Sequence, residues 1–421
     1  MTAQPHPDTP LTREDCLALD AGDPLAGRRQ LFHVPDGVIY LDGNSLGCLP
    51  LAAVEHVRRT LETEWGEGLI RSWTQAGWID KPRRLGDRIG GLIGAAPGQV
   101  VVADSTSVNL FKVLTAALRL RPGRDVIVSE AGNFPTDLYI AEGVAELLGG
   151  YERRLVPEGS MDVAALIDER VAVVMLTHVN YVTAEMHDMA AVTRAAHDAG
   201  ALVIWDLAHS AGALPVDLDG IDADFAVGCT YKYLNAGPGG PAYLYVAARL
   251  QDQARQPLTG WLGHARPFAF TTGYEPAPGI DRFICGTPPL LAYAALEGAL
   301  DAFDGVDLAV LRAKSQSLTD LFIRLVEQEC GEHGLALAGP RDRALRGSHV
   351  SWRHPEGYAI MQALIARGVI GDFRAPDALR FGFTPLYLSH ADVWDAVAVL
   401  RDVLDNRLWD DPAYQRRAKV T

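Results

Sequence analysis

With 421 residues, 48% of them hydrophobic and 22% charged, the chain is composed like a globular protein of two or three domains, with a core large enough to need no disulfide or metal staple. Its net charge of −15 argues against sequence-independent binding to nucleic acid or to anionic membranes. No apolar run approaches the roughly 18 residues of a spanning helix, and the composition excludes a collagen-like or disordered chain.

The first ten residues, MTAQPHPDTP, carry neither a basic nor an apolar stretch. No signal or transit peptide is read there, and a cytoplasmic location is expected. Residues 1–50 read as an N-terminal arm, with Thr12 and Asp15 spaced as a capping box for a short first helix. Five cysteines, at 16, 48, 229, 285 and 330, are odd in number and widely spaced. They read as reduced thiols, not as a disulfide frame or zinc site.

Residues 51–305 read as a large α/β domain. Apolar runs at Val100–Ala103, Val126–Val128, Val171–Leu176, Leu202–Trp205, Phe225–Val227 and Ala242–Val246 have the texture of buried strands. Helix-period segments lie between several of them, at Val108–Leu118, Asp137–Leu148 and Met189–Ala199. Continuous apolar strands alternating with helices predict a mostly parallel sheet covered on both faces. Residues 306–421 read as a smaller α+β domain. A long amphipathic helix (Leu308–Glu329) precedes strands near Ser348–Trp352, Val369–Phe373 and Leu379–Phe383, and a helix from Ala391 to Leu408 closes it.

The chemistry concentrates in a few segments. Lys232 follows a predicted buried strand and runs into a loop with three glycines and a proline. A lysine at the end of a buried strand bears a desolvation cost that Schiff-base formation relieves. The alternative is an ordinary surface lysine on a turn. Asp206 ends the predicted strand Leu202–Trp205, where open α/β sheets bind ligands, and His209 follows it. A carboxylate there keeps a pyridinium nitrogen protonated, or else simply caps a helix. A dinucleotide site would need a glycine fingerprint upstream, and Gly200 alone does not make one. Asp206 and Lys232 leave room between them for one loop and one strand, so adjacent strand ends would bring both into one crevice. Ser105, Thr106 and Ser107 open a helix and suit a phosphate, or serve as ordinary caps with Ser107 as N-cap. Phe134 suits a stacking ring, or a hydrophobic staple with Thr136 as N-cap.

In this order and spacing the segments resemble the kynureninase family, fold-type I pyridoxal-phosphate enzymes of the aminotransferase superfamily. The likeness runs along most of the chain. It rests on residues 41–47 (LDGNSLG), the Ser105–Phe111 segment, Phe134–Asp137, residues 205–209 (WDLAH), 231–237 (YKYLNAG), 260–264 (GWLGH) and 380–387 (RFGFTPLY). The Asp-x-Ala-His run with a later lysine marks the cofactor, whereas YKYLNAG and GWLGH are particular to kynureninases.

The resemblance implies pyridoxal 5′-phosphate bound covalently at Lys232, with Asp206 on the ring nitrogen and His209 close by. It implies Phe134 stacked on the ring, Asp137 and Thr177 in polar contact, and Thr106, Ser107 and Tyr231 on the phosphate. Trp261 and Thr287 would reach the phosphate from the other subunit of a homodimer. Arg380 matches the arginine that binds the substrate α-carboxylate, a task suited to a guanidinium; without the likeness it would read as a surface ion pair. Asn44, Ser45 and Trp65 are assigned to the substrate pocket. Thr287 stands where vertebrate-type relatives carry Asn, and with Trp65 this implies a bacterial-type pocket that favours kynurenine over 3-hydroxykynurenine. The implied activity is hydrolytic Cβ–Cγ cleavage of L-kynurenine to anthranilate and L-alanine, with Lys232 moving the Cα proton and Tyr231 assisting the last protonation. The context is tryptophan catabolism or NAD biosynthesis.

Other enzyme classes fit the residues less well. A cysteine desulfurase or selenocysteine lyase needs a nucleophilic cysteine late in the chain, and Cys330 has no cationic neighbour in sequence to activate it. An aminotransferase would need an acceptor keto acid. A silent regulator would be expected to lose Lys232 or Arg380, and both are present. His178, His187, His197 and His209 form no metal motif, so no metal is expected.

Overall fold

The computed structural model describes residues 10–416. The first nine residues, which hold most of the stretch read as leader-free, and residues 417–421 lie outside the described residues. The chain divides into two compact units: one holds Pro50–Tyr181 and Met186–Phe303, the other the described residues up to Leu49, Val182–Glu185 and those from Asp304 onward.

The first unit is built on a seven-stranded sheet. Its strands are β1 (Val100–Val102), β2 (Val126–Glu130), β3 (Glu152–Val156), β4 (Val171–Thr177), β5 (Leu202–Asp206), β6 (Phe225–Gly228) and β7 (Tyr243–Val246). They lie in the order β1-β7-β6-β5-β4-β2-β3. Strand β7 runs antiparallel to both of its neighbours, and the remaining pairs are parallel. The α/β expectation holds. All seven residues of β4, Val-Ala-Val-Val-Met-Leu-Thr, are buried, as a strand covered on both faces requires. The strand that went unread, β3, is Glu-Arg-Arg-Leu-Val. It lies at the sheet edge, where charged side chains reach water and blunt further pairing.

Helices follow the strands at α1 (Thr106–Arg119), α2 (Pro135–Leu148) and α3 (Met189–Asp198). Two expected caps are corrected. Helix α1 is capped by Ser105, whose Oγ accepts from the Val108 amide at 3.4 Å, so Ser107 already lies inside the first turn. Helix α2 starts at Pro135 directly after Phe134, and Thr136 is its second residue, not its N-cap. Proline lacks an N–H and has its φ fixed at a helical value, so it suits the first helical position.

The second unit carries an antiparallel sheet. Strands β8 (His349–Arg353), β9 (Asp372–Arg374) and β10 (Ala378–Gly382) lie in the order β8-β10-β9, with Ala336–Leu337 beyond β8. Helices α4 (Leu308–Cys330), Gly357–Ile365 and α5 (His390–Asp405) belong to the same unit. The single strand expected over Val369–Phe373 breaks at Gly371. Val369–Ile370 pairs with Ile39–Tyr40 instead, and a Cβ on Gly371 would come within 2.8 Å of the Arg380 carbonyl oxygen. The N-terminal residues expected as an arm are built into this unit. The Thr12–Asp15 capping box is present in both halves. The Asp20 carboxylate accepts from the His390 and Ala391 amides at 2.7 and 3.0 Å, at the start of α5, and Lys314 pairs with Asp23 at 2.6 Å.

Candidate active site

In the first unit the carboxyl ends of β2, β4, β5 and β6 deliver the polar residues. Thr177 and Asp206, the last residues of β4 and β5, are register partners, and Asp206 pairs with Val227 of β6 on its other side. Asp206 is buried, and its Oδ1 accepts from the Ala208 amide at 2.7 Å. Asp137, from the first turn of α2, is also buried and hydrogen-bonds to Asp206. Burial and then the Asp206 charge push the Asp137 carboxyl well above the usual range. Burial raises Asp206 as well, opposed by Lys232 and the Ala208 amide. Two carboxyls in contact in a dry site resist ionising together, and burial with the Asp206 charge works against ionisation of Asp137 in particular. Thr177 Oγ1 lies 3.4 Å from Asp137 Oδ2 and donates to Asn133 Oδ1 at 2.5 Å.

Lys232 is half-buried after β6, on a turn and not on the strand itself. Its Nζ lies 3.0 Å from His209 Nε2. The rings of Phe134 and Tyr231 lie 5.7 and 5.9 Å from the same nitrogen, within cation–π range. The loop that follows is self-bonded: the Asn235 amide donates to the Lys232 carbonyl at 2.9 Å and the Ala236 amide to the Thr230 carbonyl at 2.9 Å. Asn235 takes a left-handed conformation (φ 59), which Asn tolerates better than most residues. Burial, and then Cys229, raise the Tyr231 phenol above its usual range, so it stays protonated.

A cavity of about 490 Å³ is lined by Asp104, Ser105, Tyr231, Gly239, Gly240 and Thr287, among others. Thr106 and Ser107 lie in the first turn of α1, where backbone N–H groups lack helical acceptors. Asp104, beside that turn, is neutralised by the fully buried Lys112, which also donates to the Phe283 carbonyl at 2.6 Å. Neither Asn133 nor Lys112 was singled out from sequence. Asn133 bridges Thr177 and the Phe134 amide, and only its place after a strand hinted at that.

The structure therefore brings Lys232, His209, Phe134, Tyr231, Asp206, Asp137 and Thr177 together, and puts Thr287 and Tyr231 on one cavity. Trp261 lines a separate cavity of about 400 Å³ with His264 and Phe270, and meets Trp73 and Phe268 edge-on. Trp65 is 56% exposed at the end of a π-helical turn, Thr60–Trp65. Asn44, Ser45 and Arg380 belong to the second unit. There Arg380 is 1% exposed, which corrects the surface-pair reading, and it is paired with Asp372. Cys330 is fully buried at the end of α4, and burial with Glu329 nearby pushes its thiol up to about 12, no state for a nucleophile.

A lysine amine against aromatic faces, a buried carboxyl pair, and free amides at a helix N-terminus match the aldehyde, ring nitrogen and phosphate of pyridoxal 5′-phosphate. Solved structures of like fold include a cysteine desulfurase from Thermococcus onnurineus, with TM-score 0.77 and 19% identity over 90% of this chain and 98% of that one. A cysteine desulfurase from Escherichia coli gives TM-score 0.73 and 21% identity over 91% and 98%. Fold and site together define a fold-type I pyridoxal-phosphate-dependent enzyme. Residues 311–400 match the model of the kynureninase C-terminal domain. A kynureninase of Pseudomonas fluorescens is 58% identical over 97% of this chain and its own whole length, and one of Burkholderia pseudomallei is 56% identical over the same shares. The chain belongs to the kynureninase family.

Proposed function

We propose that the enzyme hydrolyses the Cβ–Cγ bond of L-kynurenine to anthranilate and L-alanine, in tryptophan catabolism. The observation that carries this is the full-length 58% identity to a kynureninase, and the Lys232–Asp206 constellation supplies the chemistry it needs. Bound pyridoxal phosphate supplies an electron sink for charge developing at the substrate's Cα and Cβ. Lys232 holds the cofactor and moves the Cα proton. His209, 3.0 Å away, orients that amine. Asp206, hydrogen-bonded to Asp137, would keep a proton on the ring nitrogen. Tyr231, held protonated by burial, returns a proton to Cβ. Thr106, Ser107 and Tyr231 would hold the phosphate, and Phe134 would pack against the ring.

Arg380 takes the α-carboxylate, with Asn44 and Ser45 beside it. Trp261 acts across a homodimer, each subunit completing its partner's phosphate seat, whereas Thr287, which lines one cavity with its own chain's Ser105 and Tyr231, joins the seat from within the chain. Trp65 and Thr287 set the aryl preference toward kynurenine over 3-hydroxykynurenine, and the enzyme works in the cytoplasm. The test is an absorbance scan of the purified protein followed by anthranilate fluorescence on adding L-kynurenine. A yellow protein that releases no anthranilate overturns the substrate, and kinetics favouring the hydroxylated substrate overturn the aryl preference.

A further inference from the structure

In the second unit, Arg380 of β10 stands directly opposite Asp372 of β9. Opposed residues of an antiparallel pair share a face, so the two side chains meet without spanning the sheet. Asp372 Oδ1 accepts from Arg380 Nε at 2.8 Å, and Oδ2 accepts from Nη2. This two-point contact fixes the rotation of the guanidinium plane as a single bond would not.

Two further side chains hold Asp372. Arg374, two residues along the same strand, donates to Oδ2 at 2.6 Å. Ser45 Oγ donates to Oδ2 at 2.9 Å and accepts from Arg380 Nη2 at 2.8 Å, closing the triangle. The segment carrying Ser45 is laid along β10 by the Gly382 amide, which donates to the Leu41 carbonyl at 2.7 Å. Next to Ser45, Asn44 is fully buried, and neither polar atom of its amide finds a partner among the described residues. Its Oδ1 would stand 1.8 Å from a Cβ on Gly382, so only glycine admits it there. A buried amide without partners is costly, which marks this corner as one that a polar ligand completes.

We propose that Asp372 is a positioning residue: by gripping the Nε–Nη2 edge of Arg380, with Ser45 as the latch, it fixes the angle at which the guanidinium meets the substrate's α-carboxylate. This rests on the reading of Arg380 as the carboxylate-binding arginine. A buried arginine without such a grip would lose side-chain entropy on every binding event, whereas a gripped one is pre-organised.

The experiment compares Asp372→Asn, Asp372→Glu and Arg380→Lys holoenzymes with wild type. Asp372→Asn is expected to raise KM for L-kynurenine roughly 10- to 100-fold, the loss of a charge-assisted hydrogen bond, and to leave kcat within about threefold. The inhibition constant of L-alanine rises in step. That of the decarboxylated amine of kynurenine, which offers Arg380 nothing, stays put, and Asp372→Glu recovers part of the loss. A merely structural role would weaken the amine equally, and that result overturns the proposal. So does an unchanged KM in Asp372→Asn beside a raised one in Arg380→Lys, which spares the reading of Arg380. An unchanged KM in Arg380→Lys removes that reading and the proposal with it. Should Asp372→Asn fail to fold, Ser45→Ala opens the same latch and must show the same split between carboxylate and amine.

Discussion

Thr177 and Asp206 are register partners at the carboxyl ends of β4 and β5, and that pairing aligns the Thr177 hydroxyl and the Asp137–Asp206 carboxyl pair along one edge of the sheet. The pair lies within electrostatic reach of Lys232. The expected consequence is a division of labour, with Asp137 as the hydrogen-bond donor and Asp206 as the acceptor.

Asp206→Asn removes the charge that steadies a protonated ring nitrogen, and kcat is expected to fall by about 10² or more, whereas Asp137→Asn keeps a donor in place and costs roughly tenfold or less. Lys232→Ala is expected to abolish turnover and the cofactor's long-wavelength absorbance together. Steady-state anthranilate fluorescence and absorption spectra of the three variants check the order. Equal losses in Asp206→Asn and Asp137→Asn would refute the assignment of the proton.

That Asp206 and Lys232 come within electrostatic reach of each other was legible because apolar runs mark parallel strands and a polar residue closing such a run stands at the ligand end of the sheet. The Asp372–Arg380 grip was not. In sequence, Asp372 looks like part of the solvated face of a short strand, and only the register of β9 on β10 sets it against the buried Arg380. The same gap hid Lys112, which reads as an exposed helix lysine until the fold buries it against Asp104. Edge strand β3 went unread because its exposure erases the apolar pattern that revealed its neighbours.

Asp42 gives the second unit a pH dependence. Burial and the Asp372 charge raise its carboxyl to about 7. The Ser45 hydroxyl, then Arg380 and Arg374, oppose that rise, and Tyr40 also faces it. A carboxyl whose pKa is higher folded than unfolded binds more protons when folded, so its contribution is full below about pH 4 and is lost as pH rises through about 7. Denaturant titrations at pH 5 and pH 8 should show wild type losing roughly 1–4 kcal/mol more across that interval than Asp42→Asn. Parallel pH slopes in the two proteins would refute the assignment.

Phe268 and Phe270 are 63% and 79% exposed near Trp261, an apolar patch that a monomer in water has no reason to display. If the proposed homodimer forms through this patch, both rings are covered. The double variant Phe268→Glu, Phe270→Glu should shift the mass measured by light scattering toward one chain. It should also weaken cofactor retention, since Trp261 would no longer reach a partner's phosphate. A variant that stays dimeric with full cofactor content would place the interface elsewhere.

Gly298 offers a stability test away from the chemistry. The helices Leu51–Arg59 and Leu290–Asp301 pack so closely in the first unit that a Cβ on Gly298 would stand 2.5 Å from the Ala52 carbonyl carbon and the Ala53 amide nitrogen. The obstruction is backbone, which has no rotamer to swing aside, so the helices must separate. Gly298→Ala gains helix propensity, about 1 kcal/mol, but overpacking of this kind costs roughly 1–3 kcal/mol and more against backbone. The net expectation is a lower thermal midpoint with kcat unchanged per folded molecule, read by calorimetry on the holoenzyme beside active-site titration. A midpoint at or above wild type would mean that the two helices slide apart freely, and that the close approach at Gly298 is not what sets their spacing.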